Sequence, residues 1–259
     1  MGEVAAPARA TVLPAPYYER DGITLYHGNC LELLGALPRA SVDLVATDPP
    51  YGMNYRASSM RRRALPTEAI AGDDGTARVL VPYAIRESLR ALKDKRHLYV
   101  FGPFDLKKIQ GLASPVTLIW HKGRQMSVGN LHVVWGRNYE PIQFAVKSSG
   151  TDLQHGSSRL TARMRRGAVI HCQRVNGTAV RYHLTQKPIR LMRELIESSS
   201  VFDEVILDPF SGAGSTLLAA RLEGRRAIGI ELEERYCEIA ARRLEVLRAD
   251  PLIRLDAAI

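Results

Sequence analysis

Three short runs of apolar residues stand out along the chain because each ends abruptly at an acidic residue. The runs are residues 41–47, 204–207 and 227–230, and the acids that follow them are Asp48, Asp208 and Glu231. A strand that is buried on both faces shows no alternation of apolar and polar positions, so such runs are typical of inner strands in a parallel sheet. We therefore predict three inner strands, each with an acid at its carboxyl end.

Other segments show the periods of amphipathic helices and of further strands. The predicted helices lie at residues 30–37, 79–92 and 233–247, with one that opens at Lys187 and Pro188 and one that contains Leu218 and Leu222 and ends at Gly224. The further predicted strands lie at residues 23–26, 98–101, 116–120 and 141–146. This alternation of strands and helices predicts an α/β fold with a doubly wound, mostly parallel sheet.

Composition narrows the classes of protein to which the chain can belong. Its 259 residues suffice for one large domain or two small ones. No apolar run approaches the roughly 18 residues of a membrane span. The 3 cysteines are scattered, which excludes a disulfide framework and a cysteine zinc site and indicates a reducing, cytoplasmic compartment. No histidine spacing indicates a metal site, and we predict no metal.

Positive charge is concentrated in one part of the chain. The sequence has 36 Lys and Arg against 27 Asp and Glu, a formal net charge of +9. Residues 105–182 contain 12 basic and 3 acidic residues, which accounts for the whole excess. Such a surface suits a polyanionic partner, although a basic surface without a partner would show the same pattern. Arg56 and Arg61 to Arg63 form a second basic cluster, shortly after Asp48.

The loop after residues 204–207 has the features of a site for an adenosine-containing cofactor. Gly212 and Gly214 permit close approach of backbone to a ligand at the start of a helix, and Glu231 follows Asp208 by 23 residues, where such folds place a ribose-binding carboxylate. A dinucleotide site would need a third glycine where Leu217 stands, and a triphosphate site would need a Lys-Ser or Lys-Thr pair. S-adenosylmethionine is therefore the leading candidate for the ligand of this loop. The alternative is a glycine turn with a purely structural role.

The tetrapeptide Asp48-Pro49-Pro50-Tyr51 offers chemistry that this cofactor could serve. The exocyclic amine of a nucleobase is a poor nucleophile because its lone pair is delocalised into the ring. Two acceptors for its protons, the Asp48 carboxylate and the rigidly held carbonyl of Pro49, would make that lone pair available, while Tyr51 stacks on the ring. The alternative is a tight turn after a strand. In a parallel sheet the tetrapeptide and the glycine loop meet at the carboxyl edge, although 160 residues separate Asp48 from Asp208.

This arrangement resembles the beta group of DNA amino-methyltransferases, in which the catalytic tetrapeptide comes first, the target-recognition region next and the cofactor motifs last. Further segments resemble the family's opening segment, middle strands and cofactor-side segment, and they begin at Leu25, Ile119, Tyr139 and His183. The family's usual Gly-Asp is Gly28-Asn29 here, so an amide replaces the presumed acceptor. The recognition region is short, and specificity could come from the loop at 56–75 or from a second subunit.

The resemblance implies a Rossmann-like methyltransferase fold of one domain with a small basic insert. Its parts would be a flexible N-terminal arm (1–20), a catalytic half (21–147), a short basic target-recognition segment (148–182) and a cofactor-binding half (183–259). The catalytic residues would be Asp48, Pro49, Pro50 and Tyr51. The cofactor site would comprise Asn29, Cys30, Asp48, Thr185, Gln186, Lys187, Pro188, Asp208, Phe210, Gly212, Gly214, Ser215, Thr216, Glu231 and Leu232. The DNA contacts would come from Arg56, Arg61, Arg62, Arg63, Arg159, Arg163, Arg165 and Arg166.

By this resemblance the expected reaction is methyl transfer from S-adenosylmethionine to N6 of a flipped adenine in double-stranded DNA. An acidic first residue in the tetrapeptide is commoner among the adenine enzymes than among the cytosine-N4 enzymes, which usually begin with Ser. The alternatives are cytosine N4, methylation of RNA or of a protein glutamine, and a DNA-binding homologue without activity. The resemblance also implies a homodimer in a bacterial or phage-infected cytoplasm, and it leaves open whether a restriction endonuclease accompanies the protein.

Overall fold

The fold is that of a computed structural model, which describes residue 10 and residues 12–52, 77–123, 136–148, 166–174 and 186–249. Within these residues, no helix is both long enough and apolar enough to cross a membrane. The site residues Arg56, Arg61, Arg62, Arg63, Arg159, Arg163, Arg165 and Thr185 lie outside the described part of the chain.

Across the described residues, 9 strands form one sheet. In chain order they are β1 (Tyr18–Arg20), β2 (Ile23–His27), β3 (Val42–Thr47), β4 (Leu92–Phe101), β5 (Leu112–His121), β6 (Tyr139–Lys147), β7 (Val169–His171), β8 (Val205–Asp208) and β9 (Arg226–Glu231). Their spatial order is β1-β2-β9-β8-β3-β4-β6-β5-β7. Strands β2, β9, β8, β3 and β4 are parallel to one another, whereas β1 and β6 run antiparallel to their neighbours.

Helices cover both faces of this sheet. They are α1 (Cys30–Leu33), α2 (Ala77–Ala91), α3 (Ile189–Ser199), α4 (Ser215–Leu222) and α5 (Glu234–Ala249). Strand β4 shows how the core is divided, because Leu98 packs in the cluster that includes α1 and α2, and the next residue, Tyr99, packs in the cluster that includes α3, α4 and α5. The doubly wound, mostly parallel α/β fold predicted from the sequence is confirmed.

The glycine loop is held tightly against the last helix. Gly214 stands directly before α4 with φ of 80°, in the left-handed region that favours glycine. A Cβ at this position would lie 2.8 Å from the Cβ of Ala240 in α5. The second glycine of the loop therefore permits both the turn from β8 into α4 and the close approach of α5.

Some elements differ from the predictions. The prediction of a flexible arm through residue 20 is wrong for Tyr18–Arg20, which forms β1 and pairs antiparallel with β2. Strand β7 lies within the predicted recognition segment and pairs in parallel with β5. The helix predicted at 30–37 consists of α1 and a short 3-10 helix, Leu34–Ala36.

Candidate active site

Three neighbouring parallel strands bring the predicted acids to one edge of the sheet. Asp48 directly follows β3, Asp208 ends β8 and Glu231 ends β9. The hydroxyl of Thr47, the residue before Asp48, donates a hydrogen bond to Oδ1 of Asp208 at 2.7 Å. This bond joins the tetrapeptide and the glycine loop at adjacent strand ends, as the sequence predicted from the sheet alone.

Asp208 and Glu231 shape the glycine loop with their carboxylates. Asp208 accepts from the Phe210 backbone N–H at 3.2 Å and from the hydroxyl of Thr216. Glu231 accepts from the backbone N–H groups of Gly212 at 2.7 Å and Glu233 at 2.9 Å. These bonds fix the loop that was predicted to contact the cofactor.

Burial changes the proton affinity of both acids. It raises the pKa of Asp208 to about 6, although hydrogen bonds from Thr216 and Thr47 work in the other direction. Burial likewise raises the pKa of Glu231 to about 7, against the hydrogen bonds from the loop backbone. Donors from a ligand would lower both values, because hydrogen bonds to a carboxylate favour its ionised form.

One polar atom of the glycine loop suits an adenosine-containing ligand. The Oγ of Ser211 is buried and has no hydrogen-bond partner within the described part of the chain. Together with the Glu231 carboxylate, it gives the loop a hydroxyl and an acid with which to meet the hydroxyl and amino groups of such a ligand. These polar groups therefore fit the predicted cofactor.

The opening segment lies beside Glu231. The backbone N–H of Gly28 donates to the Glu231 carbonyl at 2.8 Å, and the Asn29 side chain accepts from the Leu31 N–H at 3.0 Å, which caps α1. Burial raises the pKa of the Cys30 thiol to about 12, and Glu231 adds to that effect, so Cys30 stays protonated. The Asn29 amide thus has a structural role in this position.

Asp48 belongs to a compact cluster of charged and polar side chains that we call the Asp48 cluster; it consists of Asp48, Tyr51, Lys122, Glu140 and Lys187. The Tyr51 hydroxyl lies 2.6 Å from Oδ1 of Asp48 and 2.8 Å from Oε1 of Glu140. Lys187 donates from Nζ to Oδ2 of Asp48 at 2.5 Å and lies 3.0 Å from Oε1 of Glu140. Lys122 completes the cluster with a 2.6 Å bond to Oε2 of Glu140.

The charges of the Asp48 cluster shift the pKa values of its members. Burial raises the pKa of Asp48, and Glu140 adds to that effect while Lys187 opposes it. For Glu140 burial also acts upward, but Lys187 and Lys122 outweigh it and hold the pKa at about 2. Burial, Asp48 and Glu140 all raise the pKa of Tyr51. Glu140 is therefore the firmly ionised carboxylate of the pair.

Aromatic rings enclose the cluster. Lys187 Nζ lies 4.9 Å from the centroid of the Phe101 ring, and Lys122 Nζ lies 4.6 Å from that of Trp120. The Tyr51 ring meets the ring of Phe104 edge to face at 5.9 Å. A buried cation near a ring face gains attraction there, which helps both lysines to remain charged.

The sequence found part of this cluster. Asp48 and Tyr51 were predicted, and Lys187 was predicted on the cofactor side, whereas the structure brings its ammonium to Asp48. Glu140 and Lys122 were not predicted individually, and they lie in the segments beginning at Tyr139 and Ile119 that resemble the family's middle strands. In the sequence they are only an acid at the start of β6 and a lysine directly after β5. The pairing of β6 with both β4 and β5 brings them into the Asp48 cluster.

Three other predicted site residues lie outside the Asp48 cluster and the glycine loop. Pro188 is the N-cap of α3, and Leu232 is 52% exposed after β9. Arg166, predicted to contact DNA, forms ion pairs with Glu194 at 3.3 Å and Glu197 at 2.8 Å, both on α3. Among the described residues, no group of three or more His, Cys, Asp or Glu could hold a metal ion.

Comparison with known proteins identifies relatives along most of the chain. The model of the N6/N4 DNA methylase family matches residues 42–242. The DNA adenine methyltransferase YhdJ of Escherichia coli (strain K12) is 29% identical over 262 residues, covering 88% of this chain and 85% of YhdJ.

Solved structures share the fold. The M1.HpyAVI complex with S-adenosylmethionine has a TM-score of 0.63 at 21% identity and covers 86% of this chain and 98% of that one. The cytosine-N4-specific PvuII DNA methyltransferase has a TM-score of 0.65 at 16% identity and covers 87% of each chain.

Proposed function

This chain belongs to the N6/N4 DNA methylase family, whose model matches residues 42–242, and on that basis we propose that it transfers a methyl group from S-adenosylmethionine to N6 of adenine in double-stranded DNA. One observation carries the proposal above all others. The hydrogen bond from Thr47 to Asp208 joins the tetrapeptide loop to the glycine loop, so a base amine at Asp48 and a cofactor at Glu231 would be neighbours.

The glycine loop is the proposed cofactor site. Its Glu231 carboxylate would accept from the ribose hydroxyls, as acids at this place in doubly wound folds do. The Ser211 hydroxyl, buried and without a partner among the described residues, offers a further contact. When bound, S-adenosylmethionine supplies an electrophilic methyl group on a sulfonium. Its use by this family is supported by the M1.HpyAVI complex, which has the same fold.

Asp48 and Pro49 would act on the base amine. Asp48 would accept a hydrogen bond from one amino N–H and the Pro49 carbonyl would accept one from the other, which would make the nitrogen lone pair available for reaction. A nitrogen activated in this way would attack the methyl carbon that the bound cofactor supplies, and the bond from that carbon to sulfur would break with its electron pair left on sulfur. The Asp48 carboxylate would stabilise the positive charge that develops on nitrogen and would receive the proton that the methylated nitrogen then loses.

Tyr51 would stack on the flipped base. Base flipping costs a few kcal/mol, and stacking on an aromatic ring offsets part of that cost. A purine offers more stacking area than a pyrimidine, which favours adenine. The name of YhdJ, a DNA adenine methyltransferase, supports the same choice. The fold shared with a cytosine-N4-specific enzyme makes cytosine the second candidate.

The test uses the purified protein, S-adenosylmethionine with a labelled methyl group, and duplex DNA of mixed sequence. We expect label in the DNA, and mass spectrometry of the nucleosides should identify N6-methyladenine. N4-methylcytosine alone would show that the base is wrong. Absence of label from DNA, with label in an RNA or protein substrate offered in parallel, would overturn the proposal as a whole.

A further inference from the structure

Both carboxylate oxygens of Asp48 already have donors. The Tyr51 hydroxyl lies 2.6 Å from Oδ1, and the Lys187 ammonium lies 2.5 Å from Oδ2. A base amine needs an acceptor at this carboxylate, and a carboxylate already bonded to two donors attracts a third less strongly. Release of Asp48 from part of this bonding when the base arrives would therefore strengthen the acceptor of the proposed reaction.

Glu140 contacts the same two donors. Its Oε1 lies 2.8 Å from the Tyr51 hydroxyl and 3.0 Å from the Lys187 ammonium, while Lys122 holds its Oε2 at 2.6 Å. A tyrosine hydroxyl has one hydrogen, so it can donate to only one of the two carboxylates at a time. Rotation about the C–O bond of Tyr51 would move that hydrogen bond from Asp48 to Glu140 without moving the ring.

We propose that Glu140 is a positioning residue, which takes over the Tyr51 hydroxyl and shares the Lys187 ammonium so that Oδ1 of Asp48 is available to the base amine. The proposal rests on the proposed methyl transfer and adds a residue to it. Glu140 acts through Tyr51 and Lys187 and need not touch the base. Lys122 acts one step further away, because it fixes the Glu140 carboxylate from the other side.

The replacement Glu140→Gln should expose this role. Glutamine keeps the size of glutamate, but its neutral carbonyl is a weaker acceptor than a carboxylate. Both the Tyr51 hydroxyl and the Lys187 ammonium would then remain on Asp48. We expect kcat for methyl transfer to fall on the order of 10- to 100-fold, with the Kd values for cofactor and DNA changed less than about threefold.

A second replacement separates this role from a merely structural one. Tyr51→Phe keeps the aromatic ring and removes the hydroxyl that competes for Oδ1 of Asp48. We therefore expect Glu140→Gln to reduce kcat several-fold less in the Tyr51→Phe background than in the wild type. Equal losses in the two backgrounds would overturn the proposal, because independent structural damage is additive.

The pH dependence of kcat gives another readout. Among the described residues, the groups that face Asp48 are Lys187, Glu140 and Tyr51, with Asp208 nearby. The negative charge of Glu140 raises the pKa of Asp48, so its removal lowers that pKa. Since the reaction needs ionised Asp48, the acid limb of the profile should shift to lower pH in Glu140→Gln while the plateau falls. If the plateau of kcat falls in Glu140→Gln while the acid limb stays in place or shifts to higher pH, the proposal is contradicted.

The matched control is Glu204→Gln. Glu204 is a half-buried glutamate paired with Arg96, and its side chain is 13% exposed, against 14% for Glu140. It precedes β8 at the end opposite Asp208, so its loss should lower stability without changing kcat beyond about twofold. The wild-type assay distinguishes the failures: if wild-type protein methylates DNA and Glu140→Gln does so equally fast, only the role of Glu140 is refuted.

Discussion

Asp48 is the residue on which the proposed chemistry depends, and its neighbours allow that dependence to be tested. The Asp48 cluster pairs two carboxylates with two ammonium groups, so its ionic charges cancel. If Asp48 is removed, Lys187 still has Glu140 at 3.0 Å. A truncated side chain therefore leaves no buried ammonium without a counter-charge, and the fold should survive.

Asp48→Ala should abolish nearly all turnover while cofactor affinity stays within a few-fold. The carboxylate stabilises charge on the base amine, and an electrostatic acceptor of this kind contributes roughly 2.7–4 kcal/mol to the transition state, or about 10²- to 10³-fold in kcat. Steady-state methyl transfer and cofactor titration by calorimetry measure the two quantities. A variant that keeps near-full rate would remove Asp48 from the mechanism.

Glu231 should couple cofactor binding to pH. Burial raises its pKa to about 7, and ribose hydroxyls that donate to the carboxylate would lower that value. Binding should therefore release a proton near pH 7, and affinity should fall as the pH drops below that value. Calorimetry in two buffers of different ionisation enthalpy detects the released proton as a difference in apparent binding enthalpy.

Glu231→Gln is the control for this effect. It retains the size of the side chain and loses charge-assisted hydrogen bonds, each worth on the order of 1.5–3 kcal/mol. The cofactor should bind at least about tenfold more weakly, and the enthalpy difference between buffers should vanish. Proton release that persists in this variant would point to Asp208, whose pKa burial raises to about 6, and would contradict the assignment.

Some residues of the candidate site could be predicted from the local sequence, whereas others are brought together only by strand pairing in the sheet. Asp48 and Glu231 were predicted because each directly follows an apolar run, a feature visible in the sequence around it. Glu140 follows no such run, and its partners Lys187 and Tyr51 are remote in the chain. Its role depends on β6 lying beside β4, an antiparallel pairing that no local pattern indicates.

At the scale of elements, the burial of a strand determines how well its bounds could be predicted from the sequence. Every residue of β3 is buried, so its apolar run was predicted nearly to its bounds. Strand β4 begins at Leu92, six residues earlier than predicted. The prediction missed its first half because that half contains charged, exposed residues such as Asp94. The edge strands β1 and β7 have three residues each and no apolar run, and backbone pairing with a neighbouring strand defines them.

The turn after β4 should control the position of the Tyr51 ring. Gly102 has φ of 104°, and a Cβ there would lie 2.6 Å from Cε1 of Tyr51. Gly102→Ala should therefore displace the ring and lower kcat on the order of tenfold or more, with a stability loss of about 1–3 kcal/mol. Methyl-transfer rates and thermal unfolding measure the two effects.

Gly111→Ala is the matched control for the turn. Gly111 also has a left-handed backbone, with φ of 83°, but a Cβ there would meet no atom of the described residues within 4 Å. It should lower stability through backbone strain alone, by about 1–2 kcal/mol, and leave kcat unchanged. If Gly102→Ala also left kcat unchanged, the position of the Tyr51 ring would not matter for the reaction.

At the scale of the whole molecule, not all of the basic excess in residues 105–182 faces outward. Lys122 is paired with Glu140 inside the Asp48 cluster, and Lys147 donates from Nζ to the Leu92 carbonyl. Arg166 pairs with two glutamates of α3. The cations paired with carboxylates are partly neutralised by the protein itself, so the charge available to phosphates is smaller than the count of basic residues suggests.

Because some cations are paired within the protein, neighbouring arginines should differ in how much they contribute to the salt dependence of DNA binding. Each phosphate contact lowers the slope of log affinity against log salt concentration by about 0.9. If Arg163 and Arg165 contact DNA, as the charge pattern predicts, replacing both by Ala should flatten the slope by up to about 1.8. Arg166→Ala should change the slope less, because Glu194 and Glu197 already neutralise that guanidinium. Fluorescence anisotropy of a labelled duplex over a salt series measures these slopes; a slope unchanged by the double replacement, or changed most by Arg166→Ala, would exclude Arg163 and Arg165 from the DNA footprint.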